Sequence, residues 1–157
     1  MLFRSETGLK PEMLQLELTE SAVMGTAEQT PVALRRLSDM GIRIAIDDFG
    51  TGYSNLAYLR HLPVHSLKLA GSFVEGLRTD HADPVDEQLV ATLIHMAHML
   101  GLRVTAENVE TSAQADRLRD LGCDVGQGYY YARPVPATRI SRLLDATAGG
   151  TLRLPKR

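Results

Sequence analysis

Short apolar runs alternate along this chain with longer segments of helical periodicity. Residues 13–18, 42–46, 66–69 and 102–105 are runs dominated by Leu, Ile and Val, and a weaker fifth run spans 124–130. Their length and their bounding Gly, Pro and charged residues predict strands. The segment 26–40 places Ala33, Leu34 and Leu37 on one face, keeps Arg35, Arg36 and Asp39 off it, and meets a helix stop at Gly41. Asp83-Pro84 opens the clearest helix. Asp83 suits the cap, Pro84 the first turn, and Asp86 and Glu87 the positive end of the helix dipole. Val85, Leu89, Leu93, Met96 and Leu100 then recur at helical spacing and predict a core stripe, which ends at Gly101. Residues 111–121, stopped by Gly122, and 136–146 predict two further helices, and 149–157 reads as a frayed tail.

Strands separated by crossover helices imply an α/β fold with a parallel sheet. Near-continuous apolar strands suit a sheet covered on both faces. The 157 residues are enough for one buried core, and 44% hydrophobic with 23% charged residues is an ordinary globular composition. The net charge of -2 argues against a polymeric nucleic acid as partner. One cysteine, Cys123, excludes an internal disulfide and a Cys-rich metal site; it reads as a buried apolar residue in a reducing compartment. No apolar run approaches the roughly 20 residues that span a bilayer, and Met1 to Arg4 are too short for a signal peptide. The segment is expected to be cytoplasmic, with membrane anchoring of a longer parent left open.

The positions of the charged residues say more than their number. Glu17 and Glu20 close the first apolar run, Asp47 and Asp48 the second, Lys68 falls near the end of the third, Glu107 and Glu110 follow the fourth, and Gln127 lies at the fifth. All belong to the C-terminal edge of a parallel sheet, the edge that carries ligands in βα barrels and open α/β sheets. Carboxylates crowded at one edge repel unless cations lie among them. Oxygen donors without Cys or clustered His favour Mg²⁺ or Mn²⁺ over zinc. A solvated rim of helix caps is the plainer reading. The turn Phe49-Gly50-Thr51-Gly52-Tyr53-Ser54-Asn55 after the acid pair adds two glycines that permit a tight turn or a close approach to a ligand. His95 and His98, three apart on a helix, lack a third ligand and read as surface residues. Tyr129, Tyr130 and Tyr131 suit base stacking or packing at a strand end equally.

Five stretches, ELTES (17–21), DDFGTGYSNL (47–56), LPVHSLKLAGSFV (62–74), AENVET (106–111) and QGYYYARP (127–134), together resemble the EAL domain, the bacterial phosphodiesterase of cyclic di-GMP. The resemblance runs from about Gly8 to Pro136. It implies a partial TIM-type (β/α) barrel with parallel strands, crossover helices and the early strands missing. Residues 1–146 would be the C-terminal portion of the domain and 147–157 a tail. It implies hydrolysis of cyclic di-GMP to the linear dinucleotide with two Mg²⁺ or Mn²⁺ ions. Glu17, Asp47, Asp48 and Glu107 then correspond to metal ligands, with Asp47 between the ions. Lys68 corresponds to the lysine that contacts the attacking water, and Glu20 to the residue that steadies the loop after Asp48. Gln127 and Glu110 correspond to supporting site residues. A homodimer and an upstream GGDEF or sensor domain are further expectations.

The sequence departs from the family pattern in two ways. The Glu-Ala-Leu segment and an Asn-containing strand, both sources of metal ligands, belong upstream of the first matching motif, so this chain alone is expected to hydrolyse little or nothing. Ala70 stands where the family usually has Asp, Gly71 where Arg is common, and Asn108 where Gly is usual. Ala70 motivates the alternative of a catalytically degenerate EAL domain that senses cyclic di-GMP or contacts a protein partner. A receiver domain also carries an acid pair and a lysine on an α/β sheet. It needs a phosphoacceptor Asp after a later strand, and Lys68-Leu69-Ala70 has none.

Overall fold

Five parallel strands form one sheet in sequence order: β1 (Gln15–Thr19), β2 (Arg43–Phe49), β3 (Ser66–Leu69), β4 (Arg103–Ala106) and β5 (Val125–Gly126). This computed structural model describes residues 8–24, 30–52, 56–78 and 83–146. The start of the helix expected at Thr26, the Tyr53-Ser54-Asn55 part of the glycine turn, and the tail lie outside the described residues. Every neighbouring pair runs parallel, with Gln15 opposite Arg43, Ala45 opposite Ser66, Ser66 opposite Arg103 and Thr105 opposite Val125. Parallel neighbours that are consecutive in sequence require a crossover each time. The helices α1 (Glu20–Met24), α2 (Thr30–Asp39), α3 (Leu56–Leu59), α4 (Gly71–Glu75), α5 (Pro84–Met99), α6 (Ser112–Asp120) and α7 (Ala137–Ala146) lie between and after the strands.

The core is strand-centred. Ile44, Ile46, Leu67, Leu69 and Val104 are almost fully buried, and Val74, Leu77, Val90 and Ile94 cover them from α4 and α5 and the turn between. All four residues of β3 are buried, Lys68 included, as expected for a central strand covered on both faces. Among the described residues no helix is long and apolar enough to cross a membrane.

Several expectations shift. β1 begins two residues late, because Pro11–Met13 forms a 3₁₀ turn and Met13 stays exposed. β2 runs on through the acid pair to Phe49, and β5 is only two residues long. Ala33 is exposed, leaving Leu34 buried and Leu37 packed against the core. The core stripe of α5 is also displaced. Val90, Ile94 and Ala97 face the sheet, Leu93, Met96 and Leu100 flank them, and Val85 and Leu89 are exposed. That helix is apolar most of the way round, so periodicity marks a helix without marking its inner face. Cys123 is half-buried rather than buried, and burial pushes its thiol up from the ordinary value. His95 and His98 are both exposed, on the surface as expected.

His98 has a structural partner. Asp124 accepts from the Val104 amide at 2.8 Å and meets His98 Nε2 at 2.9 Å, tying α5 and the start of β5 to β4. Partial burial alone would raise the Asp124 carboxyl; the Val104 amide and His98 outweigh it and hold it below the ordinary carboxylate value. A depressed carboxyl contributes stability that is present above its unfolded value of about 3.9 and is lost as pH falls through the lowered one. Asp124→Asn is therefore expected to cost about 1 kcal/mol at neutral pH, a small figure because the carboxylate is partly solvated. Urea midpoints of the two proteins should converge as the pH falls below 4; a difference that stays constant to pH 2 would contradict this account.

Candidate metal centre

Consecutive residues of a strand point to opposite faces of its sheet, so Asp47 and Asp48 on a regular β2 could not serve one site. The β2–β3 register shifts between Ile46 and Phe49. At the same place Asp48 adopts a left-handed backbone, with φ 53°. A bulge of this kind re-aims a side chain, and Asp is among the few residues that tolerate the left-handed region. The turn is then tied down. Thr51 Oγ1 donates to the Asp48 carbonyl at 2.9 Å, and the Asp48 amide donates to Asp47 Oδ1 at 3.1 Å. Asp47, Asp48 and Glu107 each bring one carboxylate oxygen within 4.8 Å of the other two.

Lys68 pairs with two of these acids and with Glu17. Its Nζ is 2.6 Å from Glu17, 2.9 Å from Asp47 and 2.6 Å from Glu107, with its own side chain 5% exposed. Burial by itself would lower the ammonium. The carboxylates of Glu107, Glu17 and Asp47 outweigh it and hold Lys68 well above the ordinary lysine value. Lys68 is thus a fixed cation at neutral pH.

Glu17 shares Lys68 with the other acids, although it is outside the set of three whose oxygens converge. Glu20 opens α1 and is 3% exposed; its Oε2 accepts from the Gly50 amide at 3.1 Å, in the turn just after Asp48. The donor set fits a hard divalent cation. It offers carboxylate oxygens only, and three of its four acids share a single ammonium while Asp48 converges on Asp47 and Glu107.

Glu110 and Gln127 lie apart from the acid group. They line an adjoining cleft of about 1140 Å³ with Tyr129, Tyr130, Tyr131 and Arg133. The three tyrosines are exposed there. Tyr130 and Tyr131 meet edge to face at 5.1 Å, and the Arg133 guanidinium sits 4.9 Å from the Tyr129 ring centre. Glu110 pairs across the cleft wall with Arg78. Aromatic faces beside guanidinium groups suit a flat heterocycle carrying phosphate.

The three substituted positions, Ala70, Gly71 and Asn108, meet at one corner. Ala70 is buried at the N-cap of α4 and offers no side-chain cap. Gly71 and Asn108 exclude one another's bulk: a Cβ on residue 71 would come 2.1 Å from Asn108 Nδ2. Asn108, at φ 55°, occupies the space that a side chain at 71 would need.

Sequence reasoning passed over Gln114, which is 1% exposed and bonds both the segment after β4 and α4. The Thr111-x-x-Gln114 capping-box spacing was the available signal. Arg78 carried none, because its pairing with Glu110 joins residues remote in sequence.

The family model for the EAL domain matches residues 1–134. The cyclic di-GMP phosphodiesterase NbdA of Pseudomonas aeruginosa is 43% identical over 141 residues, 90% of this chain and 18% of NbdA. The solved PaMucR phosphodiesterase in complex with c-di-GMP aligns with a TM-score of 0.80 and 42% identity, covering 87% of this chain and 54% of that one. BlrP1 of Klebsiella pneumoniae, solved with manganese and cyclic di-GMP, aligns with a TM-score of 0.74 and 32% identity, covering 83% of this chain and 32% of BlrP1. The chain therefore spans only part of the length of these relatives. Their shared fold is TIM-barrel-like, and the parallel sheet and its flanking helices follow it. By family match, by sequence identity and by fold, the chain belongs to the EAL-domain family.

Proposed function

We propose that the protein carrying this chain hydrolyses cyclic di-GMP to the linear dinucleotide with two divalent ions, Mg²⁺ or Mn²⁺. The observation that carries the reading is the convergence of Asp47, Asp48 and Glu107, two of them paired with the cation Lys68, beside a cleft of tyrosines and arginine. NbdA and PaMucR, named as phosphodiesterases, and BlrP1, solved with manganese and cyclic di-GMP, support the substrate and the metal class.

Asp47, Asp48, Glu107 and Glu17 would hold the ions. Bound divalent ions supply charge neutralisation at the phosphate and a water acidic enough to lose its proton near neutral pH. The remaining work falls to the chain. Lys68, fixed as a cation, cannot accept a proton at neutral pH; it donates hydrogen bonds and opposes negative charge as it develops. Glu20 holds the turn after Asp48 by its bond to Gly50. Tyr129 and its neighbours offer faces for a purine, while Gln127 and Glu110 offer polar groups for its edge or for ribose.

The test is turnover of cyclic di-GMP by the full-length protein with Mn²⁺, compared with its Asp47→Asn variant. Loss of at least about a thousandfold in kcat/KM is expected, roughly 4 kcal/mol of transition-state stabilisation. Equal turnover in the two proteins would refute the reading.

A second reading, binding without cleavage, rests on Ala70, which is apolar and buried two residues after Lys68. Under it, the wild type binds cyclic di-GMP without turnover, and Ala70→Asp gains none. Turnover by the wild type disposes of it.

A further inference from the structure

Gln114 makes more bonds than a helix cap requires. It sits in the first turn of α6, and its buried carboxamide is bonded at both its oxygen and its nitrogen. Oε1 accepts from the amides of Glu110 at 2.9 Å and Thr111 at 3.0 Å, and from the Thr111 hydroxyl at 3.2 Å. Nε2 donates to the Val74 carbonyl of α4 at 2.9 Å, across forty positions of sequence. A capping box needs only the Thr111 amide and the reciprocal bond from the Gln114 amide to Thr111 Oγ1. The bonds to Glu110 and Val74 do something else: they join the segment after β4 to the helix after β3.

That segment carries the chemistry. Glu107, at its start, pairs with Lys68 of β3. Val109, in its middle, donates to the Gln127 carbonyl at 3.0 Å and accepts from the Tyr130 amide at 2.9 Å. Glu110, at its end, is the residue whose amide Gln114 holds. The segment is thus pinned on one side by the β5 end and on the other by Gln114. Asn108, in a left-handed conformation, joins Glu107 to the first of these pins.

We propose that Gln114 is a positioning residue: by clamping the Glu107-to-Thr111 segment to α4 it fixes the Glu107 carboxylate relative to Asp47 and Asp48, and so sets metal affinity. The inference rests on the metal-centre reading. Residues that orient metal ligands from behind typically change affinity 10- to 100-fold when altered. An ordinary cap residue, by contrast, changes stability alone.

The experiment is Mn²⁺ titration of the full-length protein by calorimetry, with thermal unfolding recorded for each variant. Gln114→Leu is expected to weaken Mn²⁺ binding 10- to 100-fold. Thr111→Ala removes the cap hydroxyl but spares the bonds to Glu110 and Val74, and is expected to lower Tm with Mn²⁺ affinity unchanged. Should Gln114→Leu fail to fold, Gln114→Glu keeps the three acceptor bonds and sets an oxygen against the Val74 carbonyl, and it too is expected to weaken Mn²⁺ binding. An unchanged Mn²⁺ affinity in whichever Gln114 variant folds overturns the clamp. Asp47→Asn separates the two levels. Wild-type binding that is lost in Asp47→Asn but kept in Gln114→Leu overturns the clamp alone. A wild type that binds no Mn²⁺ overturns the metal reading and this inference with it.

Discussion

Lys68→Met is expected to destabilise the metal-free protein by about 3 kcal/mol and to recover much of that loss when Mn²⁺ is added. The methionine fills the stem of the lysine within a strand whose four residues are all buried. What disappears is the ammonium that holds Glu17, Asp47 and Glu107 together. Removing one partner of a buried ion pair costs about 3–5 kcal/mol, because the remaining charge is left uncompensated. The lower end applies here, since Glu17 is 41% exposed and water screens its share. A divalent cation at the same carboxylates replaces the lost charge, and a ligand at a hundred times its Kd adds about 2.7 kcal/mol.

The pH dependence has a definite sign. A raised lysine contributes stability that is fully present below its unfolded value of about 10.4, and loses it only as pH rises through the folded value. Lys68 is raised, so the gap between wild type and variant should be flat from pH 6 to 9. Urea unfolding in chelator, and again in Mn²⁺, measures both effects. Equal midpoints in chelator would show that the carboxylates do not need the ammonium.

The second large effect is expected at Gly50, where Gly50→Ala should cost about 2–5 kcal/mol. Its φ of 95° is left-handed, which costs an L side chain about 1–2 kcal/mol. An added Cβ would also lie 2.6 and 2.8 Å from two atoms of the Phe73 ring. Forcing that much bulk into a packed site costs about 1–3 kcal/mol more. The position matters for function too. Gly50 donates to buried Glu20 and directly follows the strand that carries Asp47 and Asp48. Pushing the turn away from Phe73 moves that acid pair, so Mn²⁺ binding should weaken with stability. Phe73→Leu shortens the ring that clashes. The double variant should therefore be more stable than the sum of the two single losses predicts. Strict additivity would place the cost in the backbone alone.

Much of the fold was legible from the pattern of apolar positions. The strand at 66–69 was read to the residue, and the parallel arrangement followed from alternation with helices. The misreadings share a cause. On α5 the apolar residues nearly surround the helix, so Val85 and Leu89 fit the spacing as well as Val90 and Ile94 do, and only contact with the sheet separates them. Short elements such as α4 offer too few residues for a period to show. In β5, two residues make a strand only because Thr105 and Ala106 lie beside them.

The candidate site divides in the same way. The residue types and their places at strand ends are local facts, and by themselves they point to oxygen ligands and a lysine. Sequence alone determined that this chain is an alternating α/β protein, a member of the EAL family by its motifs, with its acids on one sheet edge. Only the tertiary structure decided which acids meet. Strand alternation sends Asp47 and Asp48 to opposite faces, and a bulge with one left-handed residue brings them back together. It also decided that Lys68 is buried among three carboxylates and that Gln114 reaches Val74 across forty residues. Periodicity reports what lies next along the chain, whereas charge pairing and clamping depend on what lies next in space.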